Sequence, residues 1–454
     1  MINRLYTHLL LLTVVIVSTS AFAADKPNIV LIISDDHAFT DYGFMGHEAI
    51  QTPNLDKVAS QSVLFRRGYV PTALCRPALM TLVTGTYSHR NFITGNDPAK
   101  NKINDDYVKD KGKTAKAQLI DNIDRFETLP QALAKLGYLS HQSGKWWEGS
   151  YQRGGFTHGM TRGYPDKGGR HGDDGLKIGR EGFKPINDFM DEAIAQEKPF
   201  FLWYAPFLPH TPHNPPKRLM DKYTAEKRPK FIARYFAMVE WFDETIGQLM
   251  QSLEDKGVAE NTLVIYVTDN GWIQNANNGS YAPRSKRSPY EGGIRTPIMY
   301  HWPGKIAPSD RPELATSIDI YPTILAAAGS DIPNDRPGLN LLPYLVDEKP
   351  IDRDHIFGES FAHDIADIYN PEASLIHRWV IQGHLKLLLT YDGIHGRMKY
   401  PPKTFEPQLY DLKTDPFEKN NLAKDHPEKV KKLTALLNSW YQPEQAKHSG
   451  NDKP

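Results

Sequence analysis

The chain has 454 residues, with 54 Lys plus Arg against 54 Asp plus Glu, and a single cysteine. That length allows one large or two unequal domains with a substantial core. The charge balance leaves no global field to attract nucleic acid or an anionic membrane, so any anion site must be built locally.

Residues 1–23 read as a cleavable secretory signal. Arg4 gives the positive start, residues 9–17 are nearly all apolar, and Ala21-Phe22-Ala23 forms a small-x-small site before Ala24. The apolar run is short for a bilayer crossing, no cysteine follows it, and no other stretch is apolar enough to span a membrane. The expectation is a periplasmic or secreted protein, cleaved after Ala23 and without a membrane anchor.

Asn28-Ile29-Val30-Leu31-Ile32-Ile33 is a continuous apolar run, the pattern of a strand buried on both faces of a parallel sheet. It ends in Ser34-Asp35-Asp36-His37. Adjacent carboxylates just past a buried strand stand where open α/β sheets bind ligands, and a hard divalent cation relieves their repulsion. A solvated, helix-capping Asp-Asp turn is the competing reading.

Pro53 opens a helix, and Val63-Leu64-Phe65 reads as a strand leading into residues 71–85. There the lone Cys75 precedes Pro77, an apolar run and a Thr84-Gly85 stop, so a loop delivers the thiol to the start of a short helix with Leu79 one turn along. A helix N-terminus favours anionic chemistry, although a buried structural cysteine has the same local pattern. An exported protein keeping one thiol marks Cys75 for chemistry.

Residues 126–135 read as an amphipathic helix, and Tyr138-Leu139-Ser140 as the strand that leads to Gly144-Lys145-Trp146-Trp147. Lys145 at a strand end can meet an anion, or be a surface lysine. Residues 151–184 form a Gly-rich loop with His158, Arg162 and His171, followed by a buried strand at 198–204 and a Pro-rich segment holding His210 and His213. A long helix at 234–256 precedes a strand at 263–267, which ends in Thr268-Asp269-Asn270-Gly271. Lys286 and residues 290–295 then lie in a loop, and 317–328 is a helix. Strands alternating with helices predict a large, doubly wound, mostly parallel α/β sheet. A crossing segment at 330–353 then leads to antiparallel strands at 377–381 and 385–389 and a helix at 427–441. The expected units are the signal at 1–23, an α/β domain at 24–350, an antiparallel-sheet subdomain at 351–446 and a disordered tail at 447–454.

Taken together, these motifs resemble those of the sulfatase family. The resemblance rests on Asp35-Asp36, on Cys75-x-Pro77 with its Thr-Gly ending, and on Gly137-Tyr138-x-Ser140-x-x-x-Gly144-Lys145-Trp146. It rests further on Thr268-Asp269-Asn270-Gly271, on Lys286 with Tyr290-Glu291-Gly292-Gly293, on Asp319-Ile320-Tyr321-Pro322-Thr323 and on Leu409-Tyr410-Asp411-Leu412. It implies an alkaline-phosphatase-like fold and hydrolysis of a sulfate ester. It implies that a maturation enzyme converts Cys75 to formylglycine, whose hydrate attacks sulfur and whose second hydroxyl allows sulfate to be expelled. It also implies Ca2+ held by Asp35, Asp36, Asp269, Asn270 and an oxygen of modified residue 75. Lys145 and Lys286 would contact sulfate, and His210 would protonate the leaving oxygen. The expected substrate is a sulfated sugar or polysaccharide.

Two positions depart from the pattern. Leu79 stands where the signature has Arg, and Trp147 where the family often has His. Arg76 and Arg90 are the stand-ins to examine for the first, His158 and His89 for the second. Two other readings stay open: a phosphomonoester or phosphodiester hydrolase of the same fold, and a non-catalytic protein that binds sulfated glycans.

Overall fold

The computed structural model describes residues 26–393 and 399–444; the expected signal and the tail at 447–454 lie outside them. A nine-stranded sheet forms the body. At its centre the strand Asn28–Ser34 runs parallel to Phe200–Ala205 on one side and to Thr262–Thr268 on the other. Leu139–Gly144 extends the parallel part beyond Phe200–Ala205. On the other flank Arg295–His301 lies antiparallel between Thr262–Thr268 and Val63–Tyr69. The sheet is therefore mixed but mostly parallel. The loop expected at 290–295 is instead a short helix, Glu291–Ile294, with Arg295 starting the reversed strand.

Both faces of the central strand are covered, which is why its sequence is apolar without alternation. Ile29, Leu31 and Ile33 join a core with Leu79, Leu82 and Ile324, from the helices Cys75–Thr84 and Ile320–Ala327. Val30 and Ile32 join the opposite core with Phe189, Phe242 and Ile246, from the helices Lys184–Ala195 and Lys230–Asp255. The latter helix begins at Lys230 rather than 234 because Pro229 serves as its N-cap, accepting from Ala233 N at 2.9 Å. The helix expected at 126–135 is shorter, Leu129–Ala134, since the Thr128–Gln131 capping box fixes its start. No helix among the described residues is long and apolar enough to cross a membrane.

The C-terminal strands His355–Phe361, Leu375–Gln382, Leu385–Thr390 and Gln408–Asp411 form an antiparallel sheet. One face carries Val380, Leu387 and Leu409 against Leu433 and Leu437 of the helix Pro427–Trp440. From the other face Trp379, Ile381 and Leu388 enter the core of the large sheet, so the two units share apolar packing. A buried charge joins them as well. Lys386 Nζ lies 3.2 Å from Glu291 and 2.8 Å from Glu418, with all three side chains buried. Burial pushes the Glu418 carboxyl up to about 7, with Lys386 opposing the shift and Glu291 adding to it. Replacing Lys386 by Ala strands two buried carboxyls. It is expected to lower the unfolding free energy by about 3–5 kcal/mol in denaturant titrations, far more than a surface Lys→Ala change.

Candidate functional site

The motifs separated in sequence meet at the C-terminal ends of the central strands. Asp35 and Asp36 follow Asn28–Ser34, Asp269 and Asn270 follow Thr262–Thr268, Lys145 follows Leu139–Gly144, and Cys75 opens its helix beyond Val63–Tyr69. Each turn is fixed locally. Asp36 has a left-handed backbone, φ 61°, uncommon for a non-glycine residue; its N–H donates to Asp269 Oδ1 at 3.1 Å and its Oδ1 accepts from Asn270 Nδ2 at 2.6 Å. Gly144 has φ 85°, and a Cβ there would overlap the Ala205 carbonyl, so only glycine lets the strand end turn Lys145 inward. Gly85 ends the Cys75 helix at φ 64°, its N–H donating to Thr81 O.

The lysines sit on the carboxylates. Lys145 Nζ is 2.8 Å from Asp35 Oδ1, and Lys286 Nζ is 2.6 Å from Asp36 Oδ1 and 3.2 Å from Cys75 Sγ. Burial works against both ammonium charges, yet the carboxylates around them hold both above the usual lysine range. Burial raises Asp35 and Asp269 despite Lys145. Burial also pushes the Cys75 thiol up to about 12, with Asp269 adding to the shift and the lysines opposing it. Unmodified, Cys75 is therefore a thiol and not the thiolate that cysteine nucleophiles require.

Four buried oxygens of this cluster lack a directed hydrogen bond: Asp35 Oδ2, Asp36 Oδ2, Asp269 Oδ2 and Asn270 Oδ1. The first has only ion-pair contact, Lys145 at 2.7 Å, and the second His210 at 3.3 Å. Orphaned buried oxygens are costly. Four together, three from carboxyls, are the donor set of a hard divalent cation. Asp35, Asp36, Cys75 and His210 each offer an atom within 4.8 Å of the others.

His210 stacks on Phe207, centroids 4.4 Å apart, and its Nδ1 bonds Thr211 O at 2.6 Å, leaving Nε2 toward the site, 3.4 Å from Lys286 Nζ. Burial, Lys145 and Lys286 hold its pKa well below the usual imidazole range. A pocket of about 310 Å3 opens over the cluster, lined by Cys75, Lys145, Trp147, His171, His210 and Lys286 among others.

A family profile named Sulfatase matches residues 27–330, about two thirds of the chain. The chain belongs to the sulfatase family. A second profile, N-sulphoglucosamine sulphohydrolase, C-terminal, matches residues 279–445. Human N-acetylgalactosamine-6-sulfatase is 31% identical over 375 residues, covering 73% of this chain and 68% of the relative. Human Arylsulfatase A is 29% identical over 448 residues, covering 88% and 84%. The crystal structure of Ps i-CgsB in complex with k-i-k-neocarrahexaose aligns with a TM-score of 0.71 at 23% identity, over 91% of this chain and 92% of that one, which supports the alkaline-phosphatase-like fold. Members of this family are sulfuric ester hydrolases, and this chain is such an enzyme.

The stand-ins for the missing Arg do not reach residue 75. Arg76 is buried but points away, bonding Glu148 through Nε and Nη2 at 2.7 and 2.6 Å and Asn96 O through Nη1 at 3.1 Å. Arg90 bonds Asp335 O at 3.0 Å, near the surface. Leu79 lies in the apolar core. The stand-ins for His also fall outside the pocket. His158 pairs with His141 at the sheet edge, which turns its ring toward Phe189 and Glu192 of the helix Lys184–Ala195. His89 bonds Glu359 at 2.8 Å and stacks on Tyr441.

His171 enters the sulfatase pocket instead. It sits 5.2 Å from Trp147 and 5.5 Å from Phe207, with Nδ1 buried and without a hydrogen-bond partner. Burial, then Lys145 and Arg170, lower its pKa to about 3. The long Gly-rich loop is the signal in the sequence, because a loop that leaves the Lys145 turn can return over it, and tertiary packing sets which of its histidines faces the pocket. Accordingly His158→Ala is expected to leave sulfate release unchanged, whereas His171→Ala is expected to lower kcat by roughly a hundredfold or more. Parallel steady-state assays of the two variants check this.

Proposed function

We propose that this sulfatase is an exported enzyme that removes a sulfate ester from a sulfated sugar or polysaccharide. It would act through a formylglycine made from Cys75 by a maturation enzyme and through a calcium ion held by Asp35, Asp36, Asp269 and Asn270. The observation that carries the reading is a set of four buried oxygens without a directed hydrogen bond in the cluster that holds Cys75, with Lys145 on Asp35 and Lys286 on Asp36 and Cys75. All are oxygens, as Ca2+ prefers. Among the described residues one group of His, Cys, Asp and Glu side chains, Asp35, Asp36, Cys75 and His210, is close enough to hold a metal ion, whereas a two-metal phosphoesterase needs ligands for a second ion.

Bound calcium would polarise a sulfate oxygen and the hydroxyl of residue 75. The rest is the work of side chains. Lys145, on Asp35, and Lys286, 3.2 Å from Cys75 Sγ, would trade carboxylate contacts for sulfate oxygens, countering the charge that grows on them. His210 turns Nε2 toward the site while its Nδ1–H donates to Thr211 O and fixes the ring; to serve the leaving oxygen as an acid it would first take up a proton at Nε2, which the arrival of an anionic sulfate would favour. Trp147 narrows the pocket: its ring lies 4.6 Å from the Arg170 guanidinium and beside His171. The sugar is supported by the names of the relatives, N-acetylgalactosamine-6-sulfatase among them, and by the oligosaccharide held by the structural neighbour.

Calorimetric titration with Ca2+ separates metal binding from turnover. The parent is expected to bind one ion, and Asp36→Ala to weaken it by roughly a hundredfold or more. Chelation should abolish sulfate release and added Ca2+ restore it. Lys286→Ala should cost about 100- to 1,000-fold in kcat. Sulfate release that persists after chelation and in Asp36→Ala would contradict the reading.

A further inference from the structure

The catalytic pocket continues past Lys286. Tyr281, Lys286, Arg287 and His363 also line a second cavity of about 290 Å3. It forms where residues 281–290 meet residues 399–408 of the C-terminal unit. Its lining includes Arg284, Lys286, Arg287, Lys399 and Lys403, and no carboxylate among the described residues. Lys286 is already paired with Asp36, but Arg284, Lys399 and Lys403, in a lining that holds no carboxylate, still raise the potential of the cavity and favour an anion between them.

Aromatic rings position several of these cations without neutralising them. Lys399 Nζ lies 5.0 Å from the Tyr281 ring centroid and 5.2 Å from that of Tyr400, and the Arg284 guanidinium lies 4.5 Å from Tyr290. Tyr400 Oη donates to Tyr281 O at 3.1 Å, and Lys399 Nζ to Ser280 Oγ at 2.6 Å, tying the C-terminal segment to the loop that carries Lys286. Arg284 and Arg287 both hold left-handed backbones, φ 57° and 66°. Strain of that kind at cation-bearing positions points to a use in binding. Cleaving one sulfate at residue 75 does not call on this cavity, since Lys145 and Lys286 already serve it. Rings beside Arg284, Lys399 and Lys403 suit a sugar with an acidic substituent, whose C–H face packs on tyrosine while its anion meets the cations.

We infer that this cavity binds a second anionic group, a sulfate ester or a uronate carboxylate, on a sugar neighbouring the one that is desulfated. The substrate is then an oligosaccharide or polysaccharide with at least two acidic groups. The inference rests on the sulfatase reading of the adjacent pocket.

The test compares a monosulfated monosaccharide with tetrasaccharides that share its terminal sulfate and carry, further along, a second sulfate, a uronate or neither. The parent is expected to prefer a doubly acidic tetrasaccharide over the neutral extension by tenfold or more in kcat/KM, mainly through KM. The sulfate and uronate arms identify the acid recognised. Lys399→Glu and Lys403→Glu, both at exposed positions, should each cut that preference about tenfold. Equal kcat/KM for acidic and neutral extensions, or a preference untouched by both reversals, overturns the inference while the sulfatase reading stands. If no substrate releases sulfate, that reading fails by itself. Calorimetry with the disulfated tetrasaccharide then still decides: weaker binding by Lys403→Glu upholds the cavity, and equal affinity overturns it.

Discussion

Concentrated negative charge, buried at the ends of two neighbouring strands, is the constraint that the surrounding architecture answers. Asp35, Asp36 and Asp269 stand within one cluster and are almost wholly removed from water. Unpaired carboxylates in such a place would protonate or unfold the region. Lys145 arrives from a third strand and Lys286 from a distant loop, and each reaches the cluster because of a specific backbone feature, the glycine turn at 144 and the loop that bonds Ala73 through Arg287 N. Even so, two lysines leave four oxygens without hydrogen bonds. The site is therefore complete in protein terms only with further positive charge. A cation supplied there would, together with Lys145 and Lys286, set positive charge against a sulfate.

Sulfatase chemistry places an unusual demand on one residue, and the chain supplies a single cysteine at a buried helix start. Burial favours the thiol, which fits the proposal that the reactive group is made from it rather than by ionising it. The side chains around residue 75 are coupled to one another. Arg76 is bound bidentately to Glu148, and Trp147 lies near both Arg76 and Arg170. An isolated Arg76 in this apolar setting would be costly, so Arg76 and Glu148 depend on each other. Their pairing explains why Arg76, though next to Cys75 in sequence, cannot take over the role of the absent signature arginine.

The sequence made the sheet and its ligand-bearing strand ends legible, because continuous apolar runs such as 28–33 and 263–267 have few alternative uses. The acidic pairs could be placed from the same runs, since a residue just past a buried parallel strand has a predictable position. What escaped was set by tertiary contacts. Arg295–His301 reads poorly as a strand because it is reversed between two others and starts immediately after a four-residue helix. His158 and His171 lie in one Gly-rich loop, and only tertiary contacts separate them: pairing with His141 holds the first at the sheet edge, while the second lines the pocket. The cavity at Tyr281 and Lys399 joins segments more than a hundred residues apart, and no local pattern announces it.

Mass spectrometry of the tryptic peptide spanning residues 68–90, from protein secreted by its natural host, tests the central claim most directly. Trypsin spares the Arg76–Pro77 bond, so this one peptide reports on position 75. The account predicts the mass of an aldehyde or its hydrate there. An intact thiol would contradict it, and would make the cluster a binding site for sulfated ligands that the protein does not hydrolyse.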